Sequence, residues 1–394
     1  MTDRRTLMAQ AATINTVLQR NRIPSHVGRS LATPHALRFE LVAEGAVKVQ
    51  AVENLAGEFA CALGAREAQV RRRDDGVCVE VPRPPETVRL LPLCDRLQCA
   101  PALTAVLGAD GDGAPLLLRL PAQEVGNVLI AGMTGAGKTA LARTMLASLA
   151  IFNDPGLLQI VLVDPKARGF AYLQGIPHVI GELVSSVEDT LECLQWLLGE
   201  MERRSAERTV TPAIVVAIDE LADLVQTSGG KFEAMLTRLC EGGRAAGIHL
   251  IACAQKPTAE LIGSAVRASF PIRLVGAVAS REEARYATAI TDSGAEQLVG
   301  KGDFLLVGEG QLVRFQAAWI GPRDLEHAIA LLGDAARPAQ WARPTLPGNA
   351  ESGAMRGTAA LRGAQQPANP AYALSPASGR GFWQSLFSRL AGVQ

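Results

Sequence analysis

Val128-Leu129-Ile130-Ala131 is an apolar strand that runs directly into Gly132-Met133-Thr134-Gly135-Ala136-Gly137-Lys138-Thr139, the pattern G-x-x-x-x-G-K-T. No other feature narrows the fold so far, because a loop of this kind works between a strand and a helix. A triphosphate is wrapped by backbone N–H groups, which demands close approach and dihedrals that Gly132, Gly135 and Gly137 adopt without a Cβ penalty. Lys138 is placed to reach the β- and γ-phosphates, and the Thr139 hydroxyl to ligate Mg2+. The helix formers from Ala140 to Ala150 then put the phosphates at a helix N-terminus, whose partial positive charge favours an anion. ATP with Mg2+ is the expected ligand.

A second apolar strand, Ile214-Val215-Val216-Ala217-Ile218, ends in Asp219-Glu220. At a strand's C-terminal edge Asp219 would face the metal shell and Glu220 the attacking water. One carboxylate must stay beside the metal while the next accepts a proton, which is why the chemistry uses a pair. Ile251-Ala252-Cys253-Ala254 leads in the same way to Gln255, an amide at a strand tip.

Lys plus Arg and Asp plus Glu are both 39, so any nucleic-acid surface must be local rather than global. The seven cysteines include no C-x-x-C pair and the five histidines have no metal-ligand spacing. Idle thiols of this kind suit a reducing cytoplasm. The first 22 residues lack the apolar core of a signal peptide, and no run of eighteen apolar residues occurs, so no membrane insertion is expected.

The chain reads as three parts. Residues 1–100 form a small α/β domain: a helix over 5–21, alternating strands over 35–43 and 46–52, a helix over 54–63, and short strands near 69–72 and 77–81. A Gly- and Asp-rich turn over 108–115 separates it from residues 101–334, where strands and helices alternate as a mostly parallel sheet covered on both faces requires. From residue 335 to 394 Pro, Ala, Gly and Ser dominate, and disorder is expected up to about Gly379. Phe382, Trp383, Leu386, Phe387, Leu390 and Val393 share one face of a short amphipathic helix over 381–393, suited to docking on a protein partner or on the chain's own surface.

Taken in order, the motifs resemble the FtsK/SpoIIIE family of hexameric DNA translocases, from about residue 13 to about 322. The phosphate loop is followed by Val163-Asp164-Pro165-Lys166, Gly175-Ile176-Pro177-His178, Glu200-Met201-Glu202-Arg203-Arg204 and Asp219-Glu220-Leu221-Ala222-Asp223-Leu224. Arg244-Ala245-Ala246-Gly247-Ile248-His249-Leu250 then leads into Ala254-Gln255-Lys256-Pro257, and Gly294-Ala295-Glu296-Gln297-Leu298 into Gly300-Lys301-Gly302-Asp303. In the first domain Arg38-Phe39-Glu40-Leu41, Val47-Lys48-Val49, Asn54-Leu55-Ala56 and Val79-Glu80-Val81-Pro82 resemble the family's small domain that stacks beside the motor ring.

The resemblance implies a RecA-like P-loop ATPase domain, assembled with other copies as a ring around double-stranded DNA. Each ATP would lie between neighbours, with Gln255 reporting on the γ-phosphate or its water. A neighbour's arginine would be donated in trans, Arg285 first and Arg273 second. Lys256, Arg267 and Lys301 are the candidate donors to the DNA backbone, in contacts that read no bases. Two positions depart from the family pattern, since its glutamate and tyrosine after Asp164-Pro165-Lys166 are Gly169 and Leu173 here, and the loop over 290–293 is shorter. Neither a membrane segment before the motor nor a DNA-reading winged-helix module after it is expected. Two other function classes fit parts of the pattern: a ring ATPase that moves polypeptide in a secretion or assembly system, and a nucleotide-dependent scaffold that barely hydrolyses.

Overall fold

The computed structural model describes residues 4–45, 47–73, 76–255, 268–308 and 310–332. Two sheets divide these residues. The smaller is antiparallel, in the order β1-β2-β4-β3, and comprises β1 (Ser25–Ala32), β2 (Ala36–Ala43), β3 (Gln69–Arg73) and β4 (Gly76–Pro82). Leu37 and Phe39 of β2 and Val79 and Val81 of β4 turn inward, where Ile14 and Leu18 of α1 (Arg4–Arg20) and Phe59 of α3 (Ala56–Leu63) cover them.

One expected strand of this domain is a helix. Residues 46–52 read as alternating, yet Val49–Glu53 form α2. Val52 and Leu55 are buried three residues apart, so the helical spacing of these apolar residues overrides a short alternation. The sequence reading also passed over β1, which lies at the sheet edge with only Ser25 buried, so it carries no clear period-two signal.

The larger sheet runs β7-β6-β14-β13-β12-β8-β11-β10-β9, with the two-residue β5 (Val88–Arg89) beside β14. Its parallel half is β8 (Val128–Ala131), β9 (Leu158–Val163), β10 (Ala213–Ile218), β11 (Ile248–Ala254) and β12 (Ile272–Val275). Its antiparallel half is β6 (Thr104–Asp110), β7 (Pro115–Arg119), β13 (Asp303–Gly308) and β14 (Gln311–Trp319). The fold is thus α/β, as expected, on a mixed sheet.

Both faces of the parallel half are covered, which explains its uninterrupted apolar strands. Val215 and Ala217 face the core shared with Leu141, Met145 and Leu149 of α5 (Lys138–Phe152). Ile214, Val216 and Ile218 face the opposite core, with Leu194 and Leu197 of α6 (Val187–Glu207) and Phe232 and Leu236 of α7 (Leu221–Gly242). Ser186 caps α6 by accepting from the Asp189 N–H, and Glu188 and Asp189 complement its positive end.

The residues expected as a separating turn form part of a hairpin. Gly108–Asp110 belong to β6 and Pro115 to β7, and the tip between them reaches the small sheet. Arg38 donates to the Asp112 carboxylate and to the Gly111 carbonyl, and Arg73 donates to Asp112 at 2.8 and 2.9 Å. Arg38 also pairs with Glu80 at 2.9 Å, so a buried guanidinium ties the two sheets together. Gly and Asp in this stretch therefore make a tight, hydrogen-bonded tip, in which Asp110 accepts from the N–H groups of Asp112 and Ala114.

The small sheet ends at Pro82 and β5 enters the large sheet at Val88, whereas the sequence reading draws the boundary at residue 100. Leu90, Leu93 and Cys94 of α4 (Leu90–Leu97) belong to the large core. Two further helices, α8 (Arg281–Thr288) and α9 (Pro322–Leu332), follow β12 and β14. No described helix is long and apolar enough to cross a membrane. The tail over 335–394, with the helix expected over 381–393, lies outside the described residues.

Candidate nucleotide site

Strand register gathers the motif residues at one edge of the sheet. Ala131 is opposite Ala254, and Ile218 is opposite both Ala252 and Val163. Gly132, Asp164, Asp219 and Gln255 therefore leave the sheet side by side, although 123 residues separate the first from the last.

Gly132, Gly135 and Gly137 have φ of 147°, 86° and 105°, backbone that L side chains rarely adopt. Gly137 is the N-cap of α5, and a Cβ there would lie 3.3 Å from the Gly302 nitrogen. The loop is braced from behind: Met133 N–H donates to Ala277 O at 2.8 Å and Gly302 N–H to Ala136 O at 3.1 Å. The backbone of the cradle is thus held by two neighbouring segments.

Lys138 is 8% exposed and its Nζ donates to Met133 O at 3.1 Å. Burial pulls its pKa down, against the opposing pull of Glu220 and Asp219. Asp219, 7% exposed, accepts from the Thr139 hydroxyl at 3.1 Å. Burial pushes its carboxyl up, against the hydrogen bonds from Thr139 and the Glu220 N–H. A neutral hydroxyl beside a desolvated carboxylate offers hard oxygen donors that a cation would relieve. Mg2+ usually takes one or two protein oxygens and completes its shell with phosphate and water, so the pair fits it. Among the described residues no three His, Cys, Asp or Glu side chains converge on a metal position, so the phosphates would have to complete the shell.

Gly169 explains one departure from the family pattern. A Cβ there would fall 2.5 Å from Asp219 Oδ2 and 2.6 Å from Thr139 Cγ2. The segment is held in place by buried Asp164, which accepts from the N–H groups of Lys166, Gly169 and Phe170 at 3.0, 2.7 and 3.1 Å. Its backbone approaches Thr139 and Asp219, and a glutamate there would need that segment to move.

Glu220 caps α7 at φ 52° and joins a chain of contacts. Its Oε1 accepts from Gln255 Nε2 at 2.6 Å and from Lys166 Nζ at 2.7 Å. Thr134 Oγ1 donates to Gln255 Oε1 at 3.1 Å, and Lys166 Nζ lies 3.0 Å from Asp223 Oδ2. Hydrogen bonds to Glu220 and Asp223 raise the Lys166 pKa. The amide of Gln255 therefore links the phosphate loop to Glu220 directly. Sequence reading gave Lys166 no role, though its place in Asp164-Pro165-Lys166 at a strand end was a usable signal.

The remaining candidates are dispersed. Arg285 is exposed on α8, its guanidinium 5.6 Å from the centre of the Tyr286 ring. Arg273 lies on β12, opposite Leu129 and Val307, and is partly buried. Lys301 is exposed at φ 53° in the turn that braces the phosphate loop. That turn is anchored by Asp303, which is fully buried and accepts two bonds from Arg314, at 2.9 and 2.7 Å. Arg314 comes from β14, and no local pattern announces the pairing. Lys256 and Arg267 lie outside the described residues.

Comparisons with known proteins identify the family and the fold. The FtsK/SpoIIIE family model matches residues 98–207 and 205–259, and the FtsK alpha domain model matches residues 1–83. The DNA translocase SftA of Bacillus subtilis is 31% identical over 329 residues, covering 75% of this chain and 34% of that protein. The DNA translocase FtsK of Halalkalibacterium halodurans is 28% identical over 382 residues, covering 88% and 48%. The chain therefore spans about a third to a half of these relatives. The cytoplasmic domain of the type VII secretion ATPase EccC of Thermomonospora curvata superposes with a TM-score of 0.56 at 24% identity, over 66% of this chain and 36% of that one. The pCW3 conjugation coupling protein TcpA in its monomer form with ATPγS gives 0.54 at 18% identity, over 81% and 99%. These two likenesses establish the P-loop ATPase fold. With both domain models matched in order along one chain, the protein belongs to the FtsK/SpoIIIE family.

Proposed function

We propose that the chain hydrolyses ATP to translocate double-stranded DNA, as a ring of identical subunits that contacts the DNA without regard to sequence. The observation that carries this reading is the bond from Gln255 to Glu220, with Thr134 of the phosphate loop at the amide's other end. A binding-only scaffold has no need of a carboxylate coupled to the loop in this way.

The geometry supports the following roles. Lys138 and the loop N–H groups neutralise and orient the phosphates. Thr139 and Asp219 would hold Mg2+, which would supply charge neutralisation for the phosphates. Both bonds to Glu220 fall on Oε1, so Oε2 is the oxygen that takes a proton from the attacking water. Gln255 and Lys166 hold that carboxylate in position. The γ-phosphate's developing charge would be met by a neighbour's arginine, a contribution of roughly three or more orders of magnitude in rate. Arg285 is the first choice by resemblance and its exposure suits a subunit boundary; Arg273 is second.

The test is the ATPase rate with and without linear duplex DNA, for the wild type and Glu220→Gln. Strong stimulation by DNA that vanishes in the variant supports the motor, and a rate indifferent to DNA sinks it. Mixing Lys138→Ala subunits with Arg285→Ala, Arg273→Ala or Arg244→Ala subunits assigns the donated group. Arg244 is included because it is exposed at the other end of the parallel strands, with its guanidinium bonded to the Gln123 carbonyl at 2.7 Å. Mixed rings regain activity only where the arginine acts on a neighbour's site.

A further inference from the structure

α6 and α7 lie side by side on one face of the large sheet, and a groove of about 350 Å³ runs between them. Leu198, Gly199 and Glu202 of α6 line one wall and Ala234, Met235 and Arg238 of α7 the other, each set spaced i, i+1 and i+4 along its helix. The groove is deep because two of these residues are small. A Cβ at Gly199 would meet nothing within 4 Å. Leu198 and Met235 make an apolar floor over the core beneath, and Glu202 and Arg238 pair across the groove.

The chain's own sequence supplies an occupant. Trp383, Leu386, Phe387 and Leu390 lie outside the described residues, but they have the i, i+3, i+4, i+7 spacing of a helix that lays one face into a groove. The intervening chain is long enough. α9 ends at Leu332 in the core on the other face of the sheet, and residues 333–380 supply 48 residues from there. That length spans up to about 160 Å, against a radius of gyration on the order of 20 Å for a molecule of this size. Charge matches as well. α6 and α7 together carry nine acidic and four basic residues, whereas residues 335–394 carry six arginines and one glutamate.

We infer that residues 381–393 dock as a helix in the groove between α6 and α7 of the same chain, with Trp383 and Phe387 entering it. A volume of about 350 Å³ takes two large side chains rather than a whole helix, so Leu386 and Leu390 rest on the rim. The two aromatic groups cover Leu198 and Met235, and the arginines of the tail face the acidic surface on either side. Tethering lets so small a groove suffice, because a linked segment is presented at an effective concentration of up to about a millimolar. The docking needs neither ATP nor DNA, and it stands or falls apart from the proposed motor.

Photo-crosslinking of the full purified chain tests this, with Trp383 replaced by p-benzoylphenylalanine and the products mapped by mass spectrometry. The expected products join position 383 to residues 195–202 or 231–238 within one chain. Mixing isotope-labelled with unlabelled chains separates docking within a chain from docking on a second copy. Gly199→Leu fills the groove where a side chain meets no neighbour and raises the helix propensity of α6, so the melting temperature should not fall. In that variant the yield of these products should drop about tenfold, since blocking a pocket that takes an aromatic anchor costs at least that much. Phe387→Ala should lower the yield in the same direction by less. Products that join labelled to unlabelled chains overturn the inference and assign the groove to a second copy. Crosslinks to another part of the chain, a yield that Gly199→Leu leaves unchanged, or no crosslink at all overturn it too.

Discussion

The two halves of the large sheet are built from different patterns and do different work. The parallel half has strands buried on both faces and is followed at its strand ends by Asp164, Asp219 and Gln255; the proposed hydrolysis uses Asp219 and Gln255, while Asp164 holds the adjoining backbone. Among the described residues, the antiparallel half supplies no carboxylate to the site. Its contribution is shape: the turn before β13 packs on Gly137, and β14 delivers Arg314 and Gln316, which bond to that turn. The contrast teaches that one half should govern chemistry and the other should govern how the loop is held. Substitutions in the first are therefore expected to lower kcat, and in the second to raise KM.

Lys138→Ala is the largest break, with ATPase activity falling by about three orders of magnitude or more in a steady-state assay. Gln255→Ala cuts the link from Thr134 to Glu220 without touching the fold. It is expected to lower kcat about a hundredfold with KM nearly unchanged, since a misplaced group costs that much in rate. Gly302→Val probes the other half. Its φ of 90° and a Cβ 2.8 Å from Gln316 Nε2 impose strain of about 1–3 kcal/mol, and the expected result is a KM for ATP raised roughly tenfold with kcat within about twofold. A Gly302 variant that lowers kcat and spares KM would erase the distinction between the halves.

Smaller effects report on what lies around the two halves. Arg38→Ala leaves Glu80 and Asp112 without their shared cation and is expected to destabilise the chain by about 2 kcal/mol in urea unfolding. Burial acts to raise the Asp112 pKa, but bonds from Arg38 and Arg73 outweigh it and hold it below its usual value. The stabilisation from that contact is present above the unfolded carboxylate range and is lost as pH falls through the lowered folded pKa. Buried His178 and His249, bonded to the carbonyls of Asn153 and Gly126, have pKa values lowered by desolvation. The unfolded chain takes up protons near pH 6.5 while the folded one does not. Stability should therefore decline below about pH 6.5, by at most about 1.4 kcal/mol per pH unit for each histidine.

The parallel half was almost wholly legible in the sequence because burial on both faces forces unbroken apolar strands, and loops of special geometry force glycine. β8 coincides with the expected strand over Val128–Ala131 and β10 ends at the expected Ile218, and the edge that carries Gly132, Asp219 and Gln255 follows from register alone. The antiparallel half was legible only in pieces. The pairing of Asp303 with Arg314, and the approach of Gly302 to the phosphate loop, are contacts between segments that carry no shared local pattern. The same holds for Arg38 and Asp112, 74 residues apart, and the hairpin that joins them reads in sequence as a turn between domains. A resemblance to family motifs named Gly300-Lys301-Gly302-Asp303 but not what the turn touches. Its packing on the cradle is a tertiary fact.

The central claim, that hydrolysis at this edge moves DNA, is tested most directly by displacement of a third strand from linear duplexes that carry a triplex. With ATP, the wild type is expected to strip the third strand at rates independent of the intervening sequence, and Gln255→Ala and Glu220→Gln are expected to do so slowly or not at all. ATP hydrolysis by the wild type with the triplex left intact would contradict the account.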